Sequence, residues 1–184
     1  MNFSNNVRVR FAPSPTGELH LGGARTALSN FLFAKNKGGK FLLRIEDTDF
    51  ERSKKSYTDQ IINSIKWLGL KWDEEIIFQS NRTESYGKYL NILLKSGAAY
   101  RCFATKDELE QNREETSSYQ YNGLWRNRTE EEISEQLTKG IPHTIRLKTP
   151  KKGHVILSDL IYGDKKVANS EIDDFIIMRS DGSP

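Results

Sequence analysis

The sequence predicts an α/β protein that begins with a parallel sheet and continues into a segment of α+β character. Two observations support this prediction. Strand-like and helix-like segments alternate over residues 1–97, which is the pattern of a parallel sheet with crossover helices. From residue 98 the chain carries short strands, charged helices and many turn residues instead, and this change favours a separate α+β region.

Hydrophobic spacing assigns the elements of the first region in order. The strands are predicted at residues 7–11, 41–45 and 76–78, and the helices at residues 22–37, 54–68 and 82–96. Apolar and basic residues alternate in the first strand, whereas the second strand is almost wholly apolar, as buried parallel strands are. Gly38, Gly69 and Gly97 follow the three helices, and glycine is the residue that most often ends a helix.

The later region is predicted from capping and turn residues. Thr105-x-x-Glu108 and Thr129-x-x-Glu132 are capping-box patterns, so each is expected to begin a short helix. The strand-like segments are residues 100–103, 143–148, 155–157 and 175–178.

Composition limits the class of protein. Of the 184 residues 29% are charged, and no apolar run is long enough to cross a membrane. The single cysteine, Cys102, cannot form an internal disulfide and suits a reducing compartment. The first residues lack the apolar core of a signal peptide. We therefore expect a cytoplasmic protein with no membrane partner.

The loop after the first strand is Phe11-Ala-Pro-Ser-Pro-Thr-Gly-Glu-Leu-His-Leu-Gly-Gly23. Its two prolines stiffen the entry, and its glycines allow a ligand to approach the backbone closely. The loop leads into a helix N-terminus, where amide groups and the helix dipole favour a phosphate. We interpret it as a phosphate site beside His20; a rigid connecting loop with an incidental histidine is the alternative.

Polar residues converge at the carboxyl ends of the first two strands, where parallel sheets bind their ligands. They are Arg10, Ser14, His20, Arg44, Glu46, Asp47 and Asp49. Arginine suits a substrate carboxylate, glutamate suits an ammonium group, and histidine at a helix N-terminus can stabilise a transferring phosphoryl or nucleotidyl group. The set fits an amino acid held beside a nucleotide; a surface salt-bridge cluster is the alternative. P-loop and dinucleotide-binding glycine patterns do not occur in the sequence.

These residues resemble those of the glutamyl-tRNA synthetases, a family of class I aminoacyl-tRNA synthetases. The segment Arg44-Ile-Glu-Asp-Thr-Asp49 is similar to one family hallmark, and further matches occur at residues 66–69, 142–147 and 175–184. The other hallmark is the "HIGH" region, whose motif residues here are Pro13, Ser14, Pro15, Thr16, Gly17, His20, Leu21, Gly22 and Gly23.

The resemblance covers essentially the whole chain and implies its domains. Residues 1–97 would form the first half of a Rossmann-like catalytic domain. Residues 98–173 would form an inserted α+β domain that binds the tRNA acceptor end, and residues 174–184 would return to the catalytic domain as a strand.

The resemblance also implies an activity. The enzyme would activate L-glutamate with ATP as glutamyl-adenylate and transfer it to the 3′ end of tRNA(Glu). The residues that would contact glutamate are Arg10, Ala12, Ser14 and Glu46, with Arg10 on the γ-carboxylate and Glu46 on the α-amino group. ATP, entering with Mg²⁺, would contact Ser14, His20, Gly22 and Gly23, and His20 would stabilise the α-phosphate transition state. Asp49 and Arg52 would reach the tRNA 3′ end.

Two departures from the family pattern carry predictions. The positions that hold zinc ligands in some bacterial relatives are Cys102, Ala104, Trp125 and Asn127 here. One ligand out of four cannot hold a structural zinc ion, so no zinc is predicted. His143 and His154 are interpreted as structural. The "KMSKS"-like motif and an anticodon-binding region do not occur in these residues, so we expect an amino-terminal part of a longer enzyme.

Three alternatives stay open. A glutamyl-queuosine tRNA(Asp) synthetase shares both hallmarks but usually keeps the zinc cysteines. A glutaminyl-tRNA synthetase fits the surroundings of Arg10 and Glu46 less well. A non-catalytic tRNA-binding paralogue would explain the absent closing motif, but the intact Arg10, His20 and Glu46 argue against it.

Overall fold

The first three strands pair in parallel, as the sequence predicted, in the spatial order β1 (Arg8–Phe11), β2 (Lys40–Ile45) and β3 (Ile77–Phe78). The computed structural model describes residues 7–116 and 119–184. Its contacts divide the chain into two compact units, Met1–Glu84 and Ser85–Pro184. The sequence predicted a different boundary, near residue 98, between the first half of the catalytic domain and the inserted domain. That boundary stays a prediction.

The crossover helices of the first unit are α1 (Leu21–Asn36) and α2 (Lys55–Trp67). The predicted glycine stop of α1 is confirmed, because Gly38 adopts φ 63° and the Gly39 amide donates a 2.8 Å hydrogen bond to the Ala34 carbonyl. Gly39 has a second role. A Cβ at Gly39 would lie 2.4 Å from the Val7 carbonyl oxygen, so only glycine allows β1 and β2 to begin side by side.

The core of the first unit lies between the sheet and its helices. Phe41, Leu43 and Ile45 of β2 are almost fully buried, as expected for the central strand of a covered sheet. Ile61 and Ile65 of α2 are equally buried. Leu68, the last residue of the helix predicted at residues 54–68, lies just past the end of α2 and is 39% exposed.

The second unit contains an antiparallel sheet with the strand order β4 (Ala99–Cys102), β5 (Thr144–Leu147) and β8 (Ile176–Met178). A separate hairpin consists of β6 (His154–Asp159) and β7 (Gly163–Ala168). The sequence pattern missed β7, because a two-stranded ribbon with exposed residues shows no alternation between buried and exposed positions. β8 pairs with β5; the assignment of residues 174–184 to the catalytic domain stays a prediction.

α3 (Thr83–Lys95) is the third helix that the sequence predicted for the first region. The later region contains α4 (Lys106–Thr116) and α5 (Glu130–Thr138). Both predicted capping boxes are present. The Thr129 side chain accepts from the Glu132 amide while Glu132 accepts from the Thr129 amide, and Thr105 and Glu108 exchange the same two bonds. In the described part of the chain, no helix combines the length and apolar character that a membrane crossing requires.

A buried carboxylate joins the segments of the second unit. Asp174 is 1% exposed, accepts hydrogen bonds from the Tyr100 hydroxyl at 2.9 Å and the Thr149 hydroxyl at 2.6 Å, and forms ion pairs with Arg126 and Lys151. Burial alone would raise the pKa of Asp174, but these hydrogen bonds outweigh it and hold the pKa well below its ordinary value. Burial and the bond to Asp174 also raise the pKa of Tyr100.

Candidate functional site

The loop between β1 and α1 is tied to its surroundings at three points. The Glu46 amide donates a 2.9 Å hydrogen bond to the Pro13 carbonyl, and the Lys54 amide donates a 3.0 Å bond to the Pro15 carbonyl. The Leu19 amide donates to the Gln60 side-chain oxygen of α2 at 2.8 Å. Pro15 itself is fully buried. The loop is therefore held rigidly against the end of β2 and the start of α2.

His20 is the N-cap residue of α1. Its backbone is extended (φ −99°, ψ 170°), and its Nδ1 accepts a hydrogen bond of 3.2 Å from the Gly22 amide. Because Nδ1 is an acceptor, the neutral ring carries its proton on Nε2, which leaves one donor for a ligand. The His20 side chain lies on the exposed end of the helix, where the positive end of the helix dipole also favours an anion.

Two glycines allow this arrangement. A Cβ at Gly22 would lie 2.9 Å from His20 Cε1, and a Cβ at Gly23 would lie 2.7 Å from Leu19 Cδ1. Both distances are shorter than side-chain contacts allow, so a larger residue at either position would displace its neighbour. For Gly17 no atom lies within 4 Å of such a Cβ. The motif glycines Gly22 and Gly23 thus position His20 and Leu19.

Arg10 lies in β1 opposite Leu42 of β2, and Ala12 and Ser14 follow the end of β1. Glu46 follows the end of β2, and its amide is bonded to Pro13, which lies between Ala12 and Ser14. Arg10 and Ser14 are exposed, and within residues 7–116 and 119–184 no acidic side chain pairs with the Arg10 guanidinium. Glu46 forms an ion pair with Arg44, and both side chains are about two-thirds buried or more. The rim therefore holds a guanidinium without an acidic partner in the described part of the chain and a carboxylate that is already oriented.

The remaining acidic residues of the predicted cluster have structural partners. Asp47 accepts hydrogen bonds from the Ser80 amide at 2.9 Å and the Ser80 hydroxyl at 2.6 Å, which fixes the end of β2 to the segment after β3. Asp49 accepts from the Arg52 amide and guanidinium, at 3.1 and 2.6 Å. The Arg52 side chain is nevertheless 74% exposed. Asp49 and Arg52 thus form an ion pair, as do Arg44 and Glu46, whereas Arg10 and His20 form none among the described residues.

Two anchors of this site were missed from the sequence, namely Gln60, which holds Leu19, and Ser80, which holds Asp47. Both act over long sequence separations, and a single sequence carries no signal for such contacts.

No group of three or more His, Cys, Asp or Glu side chains is placed to hold a metal ion in the part of the chain that the structure describes. At Cys102, one of the four positions at which the sequence was compared with zinc-binding relatives, the thiol donates to the Tyr121 hydroxyl at 3.3 Å. The Phe103 ring packs on Trp125 and on His143, with centroids 4.9 and 4.8 Å apart. Burial lowers the pKa of His143. An aromatic cluster thus fills this region.

Comparison with known proteins gives a consistent result. The sequence matches the family described as tRNA synthetases class I (E and Q), catalytic domain, over residues 6–184. It is 53% identical to a glutamate–tRNA ligase of Coprothermobacter proteolyticus, an alignment that covers 100% of this chain and 40% of that protein. It is 52% identical to glutamate–tRNA ligase 1 of Caldanaerobacter subterraneus, covering 98% and 38% respectively.

Two solved structures of glutamate–tRNA ligases are similar to this chain as well. The chain is similar to a glutamate tRNA ligase of Elizabethkingia meningosepticum in complex with its amino acid, with a TM-score of 0.85 and 40% identity over 97% of this chain and 39% of that one. It is similar to the glutamate–tRNA synthetase of Elizabethkingia anophelis at a TM-score of 0.86. The chain thus spans about two fifths of the length of the relatives it matches.

Proposed function

The chain belongs to the family of class I tRNA synthetases for glutamate and glutamine, and from that premise we propose that the complete protein is a glutamate–tRNA ligase. It activates L-glutamate with ATP as glutamyl-adenylate and then transfers the glutamyl group to the 3′ end of tRNA(Glu). The observation that carries this proposal is the rim at the ends of β1 and β2, where Arg10 has no acidic partner among the described residues and the Glu46 amide is hydrogen-bonded to Pro13, three residues after Arg10.

Two of the three charged groups of glutamate, the γ-carboxylate and the α-amino group, have a matching group at this rim. Arg10 binds the γ-carboxylate, because its planar guanidinium donates two parallel hydrogen bonds. Glu46 binds the α-amino group, and its ion pair with Arg44 fixes the direction of its carboxylate. Ala12 and Ser14 also contact the bound glutamate. Glutamine would offer Arg10 a neutral amide, so the arginine favours glutamate over glutamine.

ATP binds with Mg²⁺ as its partner ion, and its phosphates lie against the start of α1. The substrate α-carboxylate oxygen attacks the α-phosphorus, the bond to the bridging oxygen breaks, and pyrophosphate leaves. His20 donates from Nε2 to an α-phosphate oxygen and so stabilises the charge that develops there, while the amides at Gly22 and Gly23 lie at the positive helix end.

In the second step, a terminal ribose hydroxyl of the tRNA attacks the activated carbonyl carbon and AMP leaves. No side chain acts as a nucleophile in either step, so catalysis consists of positioning and charge stabilisation. In this proposal residues 1–97 supply one half of the catalytic domain, residues 98–173 bind the acceptor end, and Asp49 and Arg52 lie near the tRNA 3′ end.

The test is aminoacylation by the complete polypeptide that contains this chain. We expect radioactive glutamate, but not glutamine, to become attached to tRNA(Glu) in the presence of ATP, and His20→Ala to lower kcat by about 100-fold. Glutamylation of queuosine-containing tRNA(Asp) instead, or tRNA binding with no aminoacylation at all, would contradict the proposal and support one of the alternatives.

A further inference from the structure

Leu19, the residue before His20, is held from two sides. Its backbone amide donates a 2.8 Å hydrogen bond to the side-chain oxygen of Gln60 in α2. Its side chain packs on the core of the first unit and lies against the first turn of α1, where a Cβ at Gly23 would be 2.7 Å from Leu19 Cδ1. An apolar residue that precedes the N-cap and packs on the first helical turn fixes the angle at which the chain enters the helix.

The Gln60 side chain uses both ends of its amide. The oxygen accepts from the Leu19 amide, and Nε2 donates a 3.0 Å hydrogen bond to the Ser64 hydroxyl one turn further along α2. A backbone amide can only donate, so the oxygen is the end that faces Leu19. Gln60, Leu19 and Ser64 are all partly buried. A hydrogen bond that is shielded from water is costly to leave unmade, so the loss of the Gln60 oxygen would displace the Leu19 backbone.

Of the three points at which the loop is tied, the one at Leu19 depends on a single side chain. The ties at Pro13 and Pro15 join backbone atoms to backbone atoms, so they do not require particular side chains. Gln60 itself has a firm support, because its neighbour Ile61 in α2 is almost fully buried against the core. A substitution at Gln60 can therefore release Leu19 and leave the rest of the loop attached.

The position of His20 depends on the backbone on either side of it. The Gly22 amide orients the ring through its 3.2 Å hydrogen bond to Nδ1, but the residue is exposed and the core does not hold its ring. The ring therefore moves with α1 on one side and with Leu19 on the other. A displacement of about 1 Å in a reacting group can cost about 100-fold in rate, so the hold on Leu19 bears directly on catalysis.

We propose that Gln60 is a positioning residue for the reaction. Through the Leu19 amide it holds His20 at the place from which Nε2 reaches the α-phosphate of ATP. The inference rests on the proposed function. It concerns the phosphate side of the site alone, because the glutamate side is tied to the loop separately, by the bond between the Glu46 amide and the Pro13 carbonyl.

The first experiment measures aminoacylation by Gln60→Leu in the complete polypeptide. We expect kcat to fall roughly tenfold while the KM values for glutamate and ATP stay the same, because His20 stabilises charge that is present only in the transition state. Gln60→Glu keeps an acceptor oxygen at the same reach and should retain most of kcat. Asn63→Leu is the matched control, since it exchanges an exposed amide of the same helix for leucine, and it should leave kcat unchanged.

The second experiment is a double-mutant cycle that separates positioning from a general structural role. In a protein that already carries His20→Ala, Gln60→Leu should lower kcat by at most about twofold, because the group that it positions is gone. A structural role would give the tenfold loss in both backgrounds. If Gln60→Leu does not fold, Gln60→Asn replaces it in both experiments with the same expected values, because its amide is one methylene too short to reach Leu19.

The outcomes separate this inference from the proposed function. An unchanged kcat in the Gln60 variant, an equal loss in both backgrounds, or a loss confined to the KM for glutamate would each overturn the positioning role. In those cases the unmodified protein still charges tRNA(Glu) with glutamate, and the proposed function stands. A complete polypeptide that does not charge tRNA(Glu) at all would overturn the proposed function and this inference with it.

Discussion

The Glu46 amide donates a 2.9 Å hydrogen bond to the Pro13 carbonyl. This bond joins the two hallmark segments of the sequence, the loop after β1 and residues 44–49 at the end of β2. The segments lie far apart along the chain, but the strands that lead into them are parallel neighbours. In the proposed mechanism one segment holds the reacting phosphate and the other holds the amino group of the substrate. Their direct connection fixes the position of one substrate relative to the other, which is the principal requirement when catalysis depends on positioning.

Glu46→Gln tests the second segment. The amide keeps the shape of the side chain but loses the charge that attracts the substrate ammonium and Arg44. We expect the KM for glutamate to rise at least roughly tenfold, because a hydrogen bond to a charged group is lost, and the KM for ATP to stay the same. Steady-state aminoacylation kinetics measure both. Glu51→Gln, on the exposed turn nearby, is the matched control; a similar effect there would show that local charge alone is responsible.

Gly22→Ala tests the positioning of His20. The added Cβ would lie 2.9 Å from His20 Cε1, so the ring must move away from its place at the helix start. We expect kcat to fall by about 100-fold with little change in the unfolding temperature, since a misplaced group loses transition-state contacts. Gly87→Ala is the control, because no atom lies within 4 Å of a Cβ there. Unchanged kcat in Gly22→Ala would remove His20 from the mechanism.

Asp174→Asn tests the buried carboxylate of the second unit. The change leaves the Arg126 and Lys151 charges without their partner, and we expect a loss of about 3–5 kcal/mol in the free energy of unfolding. Denaturant unfolding measures it. Glu114→Gln, on an exposed face of α4, should leave the stability nearly unchanged. Equal stability of Asp174→Asn and the parent chain would show that the network contributes nothing.

The same carboxylate predicts a pH dependence. The pKa of Asp174 is lower in the folded state than the unfolded value of about 3.9. Its contribution to stability is therefore complete above that value and is lost as the pH falls below about 4 toward the folded-state pKa. Unfolding curves collected between neutral and acidic pH should show a steeper loss for the parent chain than for Asp174→Asn. Parallel curves would contradict this assignment.

Zinc removal should have no effect on folding. Tyr121 contacts the Cys102 thiol, and the rings of Phe103, Trp125 and His143 pack together beside it. We expect the same unfolding temperature with and without a strong chelator. A lower temperature that added zinc restores would show that the prediction of no zinc is wrong.

Local patterns predicted most of the elements, because burial repeats with the period of each element. The three strands of the parallel sheet and both capping boxes could be predicted from residues that are close together in the sequence. The start of α1 was placed one residue late, at Gly22, because histidine is not among the common cap residues and its bond to the Gly22 amide was not recognised. β7 was missed because its exposed residues follow no alternation.

The sequence also predicted that Arg10, His20 and Glu46 belong to one rim, since strand ends in a parallel sheet lie together. It did not predict which charges are already paired. That Asp47 turns to Ser80 while Arg10 stays without an acidic partner among the described residues depends on contacts between distant segments.

The most direct test of the account is the pair of KM values of Arg10→Ala in the complete polypeptide, with Arg8→Ala as the control. Arg8 lies two residues earlier on the same strand and is paired with Glu74 at 2.7 Å, so it should behave as the unmodified protein does. For Arg10→Ala we expect the KM for glutamate to rise at least roughly tenfold while the KM for ATP stays unchanged, because only the γ-carboxylate loses its partner. Equal losses for glutamate and ATP would contradict the assignment of Arg10 and, with it, the glutamate site.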